Sequence, residues 1–348
     1  MAVTLASIKW KACIQNFPNE YNSRLDSIFL VALWYAQDVK TYGYEKIRRN
    51  IVLSLQQLES EDGAVVRIRG QDIVVRACMV LLSADNLGFN TLFGFSESFS
   101  ATRYCRFCDC TRDDANCFLT ESELKLRDKR SYNGAVELAK NPNYDWMMTG
   151  IKKGCPFNVL RYWHVTENFV VDVMHDVLEG IAHFELSLIL NALAKDKSVG
   201  LSIDHVNSAL TFFDYSLADK NSRPPTLSSF DTIRMSASEM WCFLRNITLL
   251  IGHRIPREQE HWILLLKLLD ICDIVFAPAI TESMCDFLVH LVHEHHVHLK
   301  ELLGSEKRLL PKHHFMVHYA MCMRNSDQPL SNQRQTHDPD HTYSAVKK

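Results

Sequence analysis

Cys105 and Cys108 stand in the run Cys105-Arg106-Phe107-Cys108. At that spacing a tight turn brings two sulfurs to the same side, where one zinc ion can take both. Two more ligands are then needed. Cys110 and Cys117 lie close by, and Cys155, His164 and His175 are ligand types farther along. A redox dithiol is the other reading of such a pair, but no helical pattern follows it directly. A structural zinc is the expectation carried forward.

A second group lies in residues 169–185, FVVDVMHDVLEGIAHFE. On a helix, Asp172, His175, Asp176 and Glu179 fall at i, i+3, i+4 and i+7, on one face. Acids and a histidine converging there can hold a divalent ion or polarise a water. A solvated face of an amphipathic helix is the alternative. A third candidate is Asp85, between an apolar run and a glycine-containing segment, where strand ends of α/β enzymes often carry a metal-binding acid. A turn-forming Asp85-Asn86 pair explains the same residues. The stretch His290, His293, His295, His296 and His298, with His313, His314 and His318 beyond, is the fourth. Val297 stands four residues after His293, so the metalloprotease pattern is absent. A polar helix face or adventitious metal binding is expected there.

These residues need elements to hold them. Ala6 to Ile14 reads as a short strand, followed by a loop at Pro18. Leu25 to Val39 and Tyr44 to Leu58 have helical spacing, the latter with Ile47, Ile51, Leu55 and Leu58 on one stripe. Ala64 to Arg69 alternates like a strand. Asp72 to Ala84 is β-branched, then apolar, and reads as a buried strand ending at Asp85. Residues 86 to 110 read as loop, and 111 to 160 as irregular with short helices near 121–129 and 134–139. Helices are expected over 170–195, 203–217, 237–254, 258–276, 280–303 and 313–323. The domains follow as 1–110, 111–169 with candidate zinc ligands, a helical region over 170–323, and a polar, disordered tail over 324–348.

The formal net charge is −3, whereas a dedicated nucleic-acid domain is usually strongly basic. Eleven cysteines, mostly single and within apolar patterns, indicate a reducing compartment, cytoplasm or nucleus. The opening residues lack the apolar core of a secretory signal, and the longest apolar runs are broken by charge, so no membrane span is expected. The P-loop, the dinucleotide glycine fingerprint and the nucleophile elbow are absent, and no nucleotide cofactor is expected.

Three stretches, taken in order, resemble conserved blocks of the CACTA (En/Spm-like) DNA transposases. They are residues 84–108, ADNLGFNTLFGFSESFSATRYCRFC; residues 155–185, CPFNVLRYWHVTENFVVDVMHDVLEGIAHFE; and residues 310–319, LPKHHFMVHY. The resemblance spans roughly residues 20 to 323. It implies an α/β, α-rich fold: a partial RNase H-like mixed sheet, a zinc-stapled loop and a large helical region. It also implies an ancestral chemistry in which carboxylates hold Mg2+ or Mn2+ for cleavage and strand transfer of transposon-end DNA. By the same resemblance Asp85 matches a catalytic Asp, Cys105 and Cys108 a zinc pair, and His175 a zinc ligand or site organiser. Asp176 and Glu179 are candidates for the third acid.

The family's first catalytic Asp lies upstream of the helical segment that opens here near Leu25, and no acid precedes Glu20. The resemblance therefore implies a site short of one carboxylate and little or no strand cleavage by this chain. A DNA- or protein-binding module, using the helical region, is the alternative.

Overall fold

A computed structural model of the chain describes residues 7–13, 25–168, 170–304 and 307–326. They form two units. The first takes residues up to Ser98 and resumes at Arg127 to run to 168. The second takes Phe99–Leu126 and the residues from Val170 onward. The Cys-x-x-Cys segment thus belongs with the helical region, not with the N-terminal part expected to hold it.

In the first unit, β1 (Ser7–Cys13) pairs antiparallel with β2 (Ile28–Tyr35), Ser7 opposite Tyr35 and Cys13 opposite Ile28. The expected helix over Leu25 to Val39 is therefore mostly strand. Its run IFLVALWY is apolar without a break, and such a run fits a strand as well as a helix. Helices α1 (Ala36–Tyr42) and α2 (Tyr44–Glu59) follow, joined at Gly43, whose φ is +74°. Strands β3 (Ala64–Ile68) and β4 (Gln71–Val75) make a hairpin. Its two turn residues, Arg69 and Gly70, both have positive φ, the twist that tight hairpins favour.

The expected strand to Ala84 stops at Val75. Beyond it the chain is irregular, held by Leu82 N–H donating to the Asn168 carbonyl at 3.1 Å and Asn168 Nδ2 donating to the Val80 carbonyl at 2.9 Å. Among the described residues the strands form two separate two-stranded antiparallel sheets, so the expected RNase H-like mixed sheet is not found there. A strand buried on both faces needs strands beside it and layers over it. Here β4 has only β3, and Val65, Val66, Ile73 and Val74 remain exposed.

The core of this unit is aromatic. Helix α3 (Asn86–Phe93), in the segment expected to be loop, buries Phe89 and Phe93. Phe93 packs on Phe157 and Trp163 at centroid distances of 5.8 and 5.6 Å. Tyr132, on α4 (Lys129–Ala139), donates to the Phe93 carbonyl at 3.1 Å and accepts from Cys155 N–H at 2.8 Å.

The second unit is helical. A π-helical stretch, Met174–Ile181, runs straight into α5 (Ala182–Lys195). Then come α6 (Ile203–Phe212), α7 (Ala237–Ile251), α8 (Glu260–Val275), α9 (Glu282–Leu303), α10 (Pro311–Met316) and α11 (Tyr319–Ser326). The helix expected over 313–323 is thus two, broken at Val317 and His318. Four of the helix starts carry side-chain caps, from Ser202, Ser236, Gln259 and Thr281. Residues Met174–Lys195 are long and apolar enough to cross a membrane by composition alone, which the reading of short apolar runs missed. Half of that window is buried inside the fold, as in the core helix of a packed bundle. The tail expected to be disordered lies outside the described residues beyond Ser326.

Candidate metal centre

The centre is built from one loop and one pair of short helices. In the loop, Arg112 N–H donates to the Thr102 carbonyl and Asp109 N–H to the Lys125 carbonyl, both at 2.8 Å. Cys108 bridges antiparallel to Leu126. These bonds hold the turn that sets Cys105 and Cys108 side by side, with Phe107 N–H donating to Cys105 Sγ at 3.4 Å. On the other side Pro311 opens α10, where its missing N–H costs nothing. His314 lies on α10 and His318 in the turn that follows it, where its N–H donates to the Phe315 carbonyl at 3.0 Å, and both rings reach the sulfurs.

The four groups meet. Among the described residues, Cys105, Cys108, His314 and His318 are the group of ligand type whose donor atoms all lie within 4.8 Å of one another, and all four residues are buried. His314 Nε2 is 3.2 Å from Cys108 Sγ, and His318 Nε2 is 3.7 Å from Cys105 Sγ. Metal–sulfur and metal–nitrogen bonds of zinc length around a tetrahedron give edges of roughly 3.3–3.8 Å. The cluster can therefore hold a metal ion such as zinc. Cys110 Sγ, 3.3 Å from His314 Nε2, offers a fifth donor.

The electrostatics suit a cation. Burial would raise the Cys105 thiol, but a hydrogen bond from Cys108 and the charges of His314 and His318 hold it well below its ordinary value. The Cys108 hydrogen bond brings Cys110 down to about 6. Cys108 itself is pushed up, because its proton serves both neighbours. Burial alone would lower His314, yet Cys105 and Cys110 raise it to about 10. Thiolates facing imidazoles are the donors zinc takes once it displaces their protons.

The surroundings fix the ligands. His318 Nδ1 donates to Glu121 Oε1 at 2.9 Å, which leaves the Nε2 lone pair aimed at the sulfurs. A carboxylate behind a ligating histidine is the usual support of such a site. Phe107 stacks on the His318 ring at 4.9 Å, and Phe315 packs against both Phe107 and Tyr104. The Arg106 guanidinium lies over Phe107 and Phe315, at 4.6 and 5.0 Å. Replacing Glu121 with Gln should weaken zinc binding by about 10-fold or more, measured by competition with a chelator. An unchanged affinity would remove Glu121 from the site.

The other ligand candidates are occupied elsewhere. Cys155 and His164 belong to the first unit. His164 Nδ1 meets Thr166 Oγ1 at 2.7 Å and its Nε2 meets Asn158 Nδ2 at 3.0 Å, so both ring nitrogens have protein partners. The Cys155 thiol is buried, and burial raises it to about 12, the state of an inert core cysteine. His175 turns Nδ1 to Asp172 Oδ2 at 2.6 Å and Nε2 towards Glu179 Oε2 at 3.7 Å. The metal group is completed by His314 and His318 instead. The signal was present as His-x-x-x-His at ligand spacing, but their type and number suggested a polar face.

Across the π-helical stretch Asp172, His175 and Glu179 still face one another, whereas Asp176 turns into the core. Asp176 is buried and accepts from Tyr319 Oη at 3.2 Å. His175 is half-buried and Glu179 is exposed. Lys312 Nζ donates to the His175 carbonyl at 2.5 Å. It passes over Gly180, where an added Cβ would lie 2.5 Å from Lys312 Cδ and the lysine would have to shift. Asp172, His175, Asp176 and Glu179 do not form a metal-type ligand group among the described residues.

Asp85 caps α3: its Oδ1 accepts from Gly88 N–H at 2.5 Å. It stands at the start of a helix, a position that neither the strand-end nor the turn reading named. Asp85→Ala should cost about 1 kcal/mol of stability through loss of the cap. Denaturant titration measures this, and a change below about 0.3 kcal/mol would mean the cap is idle.

Compared with protein-family models and with curated proteins, the chain matches none.

Proposed function

We propose that the chain is a transposon-derived, transposase-like protein of the CACTA type. In this reading a structural zinc ties the Cys-x-x-Cys loop to the His-x-x-x-His helices. The protein acts as a DNA- or protein-binding module and does not cleave strands.

One observation carries the reading. Cys108 of the first resembling block meets His314 of the third across 206 residues of chain. Asp176 of the second block meets Tyr319 of the third. Stretches singled out for their order along the chain thus supply residues that meet in the second unit. The donors are thiolate and imidazole, which suit zinc, whereas Mg2+ and Mn2+ take oxygen ligands. Two-metal cleavage needs paired carboxylates, and Asp85 is engaged at a helix start.

Three measurements on the full chain test this. Metal analysis should find zinc, lost in Cys105→Ser. Titration with duplex DNA over a range of salt should show binding that weakens as salt rises. A nicking assay with Mg2+ or Mn2+ should give no product. Absence of zinc sinks the whole reading, and nicking abolished by Asp85→Ala sinks its non-catalytic part. Zinc without DNA binding leaves protein partners as the module's ligands.

A further inference from the structure

Helix α9 carries five histidines between 290 and 298, and the metal centre uses none of them. They were expected on a polar face. Instead His295 and His296 are fully buried, and so are His313 and Glu185. A buried ring nitrogen needs a partner, and the partners decide which nitrogens carry hydrogen.

Leu310 N–H donates to His313 Nδ1 at 3.0 Å, so that nitrogen is bare. His313 Nε2 then carries hydrogen and donates to Glu185 Oε1 at 2.9 Å. His296 Nε2 lies 2.8 Å from the His313 carbonyl, which only accepts, so this nitrogen carries hydrogen too. His295 Nε2 lies 3.0 Å from Glu185 Oε2. His295 Nδ1 and His296 Nδ1 face each other at 3.3 Å. Two lone pairs there would repel and two hydrogens would clash, so one hydrogen lies between them.

His295 and His296 together thus hold three ring hydrogens, one more than two neutral rings. The surplus charge balances the Glu185 carboxylate. His295 faces that carboxylate while His296 faces a neutral carbonyl, so the charge is placed on His295. Burial would raise Glu185, but the charge and hydrogen bond of His295, with the bond from His313, bring it down to about 2. One carboxylate on α5 therefore ties together α9 and α10.

We infer that Glu185 is a positioning residue of the metal centre. It holds His313 from one side while Leu310 N–H holds it from the other. The short helix is thereby fixed at the rotation that presents His314, the next residue, to the sulfurs of Cys108 and Cys110. The inference rests on the zinc reading above.

Glu185→Gln and Glu185→Leu in the full chain separate positioning from space filling, since both side chains are close to glutamate in volume. In the glutamine variant the amide oxygen accepts from His313. The amide NH2 donates to His295 Nε2 once His295 gives up one ring proton, so the circuit closes without charge. In the leucine variant both Nε2–H groups lose their acceptor. Zinc competition against a chromogenic chelator should give the glutamine variant near-native affinity and the leucine variant about 10-fold weaker binding. Co2+ in place of zinc should show shifted d–d bands in the leucine variant alone. Long-range 1H–15N spectra should show two ring protons on His295 in the native chain and one in the glutamine variant.

Native zinc affinity and native Co2+ bands in the leucine variant overturn the inference. If that variant does not fold, a single ring proton on His295 in the native chain overturns it. A native chain that takes up no zinc defeats the zinc reading itself, a result distinct from either.

Discussion

Withdrawing zinc should lower the thermal midpoint of the second unit by roughly 8–16 °C. An ion at about a thousand times its dissociation constant adds about 4 kcal/mol, and each kcal/mol moves a unit of this size by about 2–4 °C. The effect is large because the ion closes a long loop, with Cys108 and His314 separated by 206 residues. Without it, two cysteines and two histidines remain buried against one another with only shared protons between them. The aromatic packing of Phe107 on His318 and Phe315 would then hold the loop alone. Melting curves by circular dichroism, with and without a strong chelator, measure the shift. Cys108→Ser should melt near the chelated native chain and ignore the chelator. A native chain whose melting does not respond to chelation would remove the ion from the stability of the fold.

The half of this centre that lies within one turn was legible in the sequence. Cys105 and Cys108 declare themselves by spacing, because the chemistry and the covalent distance coincide. His314 and His318 have ligand spacing too, yet nothing local says which cysteines they face. Cys155, His164 and His175 were equally good by type. Only the fold gives His164 to Asn158 and Thr166, and His175 to Asp172. The same limit hid Glu185. Its partners lie 110 and 128 residues away, so a buried ion pair looked like one polar residue on an apolar helix.

The helices of the second unit were legible because their apolar period is long and their ends are capped. The sheet was not. Asp72 to Ala84 has the composition of a buried strand, but burial is a property of neighbours, and the hairpin ends at Val75 opposite Ala64. Asp85 illustrates the ambiguity at its smallest scale. A carboxylate before an apolar segment reads as a strand-end acid or as a helix cap, and the choice depends on whether Asn86–Phe93 coils. The π-helical stretch carries no period of its own. It is accompanied by Lys312 at the His175 carbonyl and Tyr319 at Asp176, both far along the chain.

Acid should destabilise the second unit in a way that Glu185→Gln exposes. The carboxyl sits at about 2 when folded, against 4.5 when unfolded. A depressed carboxyl contributes stability that is present above 4.5 and lost as pH falls through that window towards 2. The shift corresponds to about 3 kcal/mol, at roughly 1.4 kcal/mol per pH unit. His296, also depressed, acts in the same direction but from higher pH: its contribution is present above 6.5 and declines as pH falls below it. His313, lowered by burial against the opposing bond to Glu185, follows the same sign. Both proteins share His296, His313 and the metal centre, so their difference reports the Glu185 carboxylate together with the His295 it pairs with. The native chain should exceed the glutamine variant by up to about 3 kcal/mol above pH 5, and the two should converge as pH approaches 2. Urea titrations at each pH, followed by circular dichroism, give that difference directly. A gap that stays constant down to pH 2, or widens there, would mean that Glu185 is not ionised in the fold, and the charge placed on His295 would go with it.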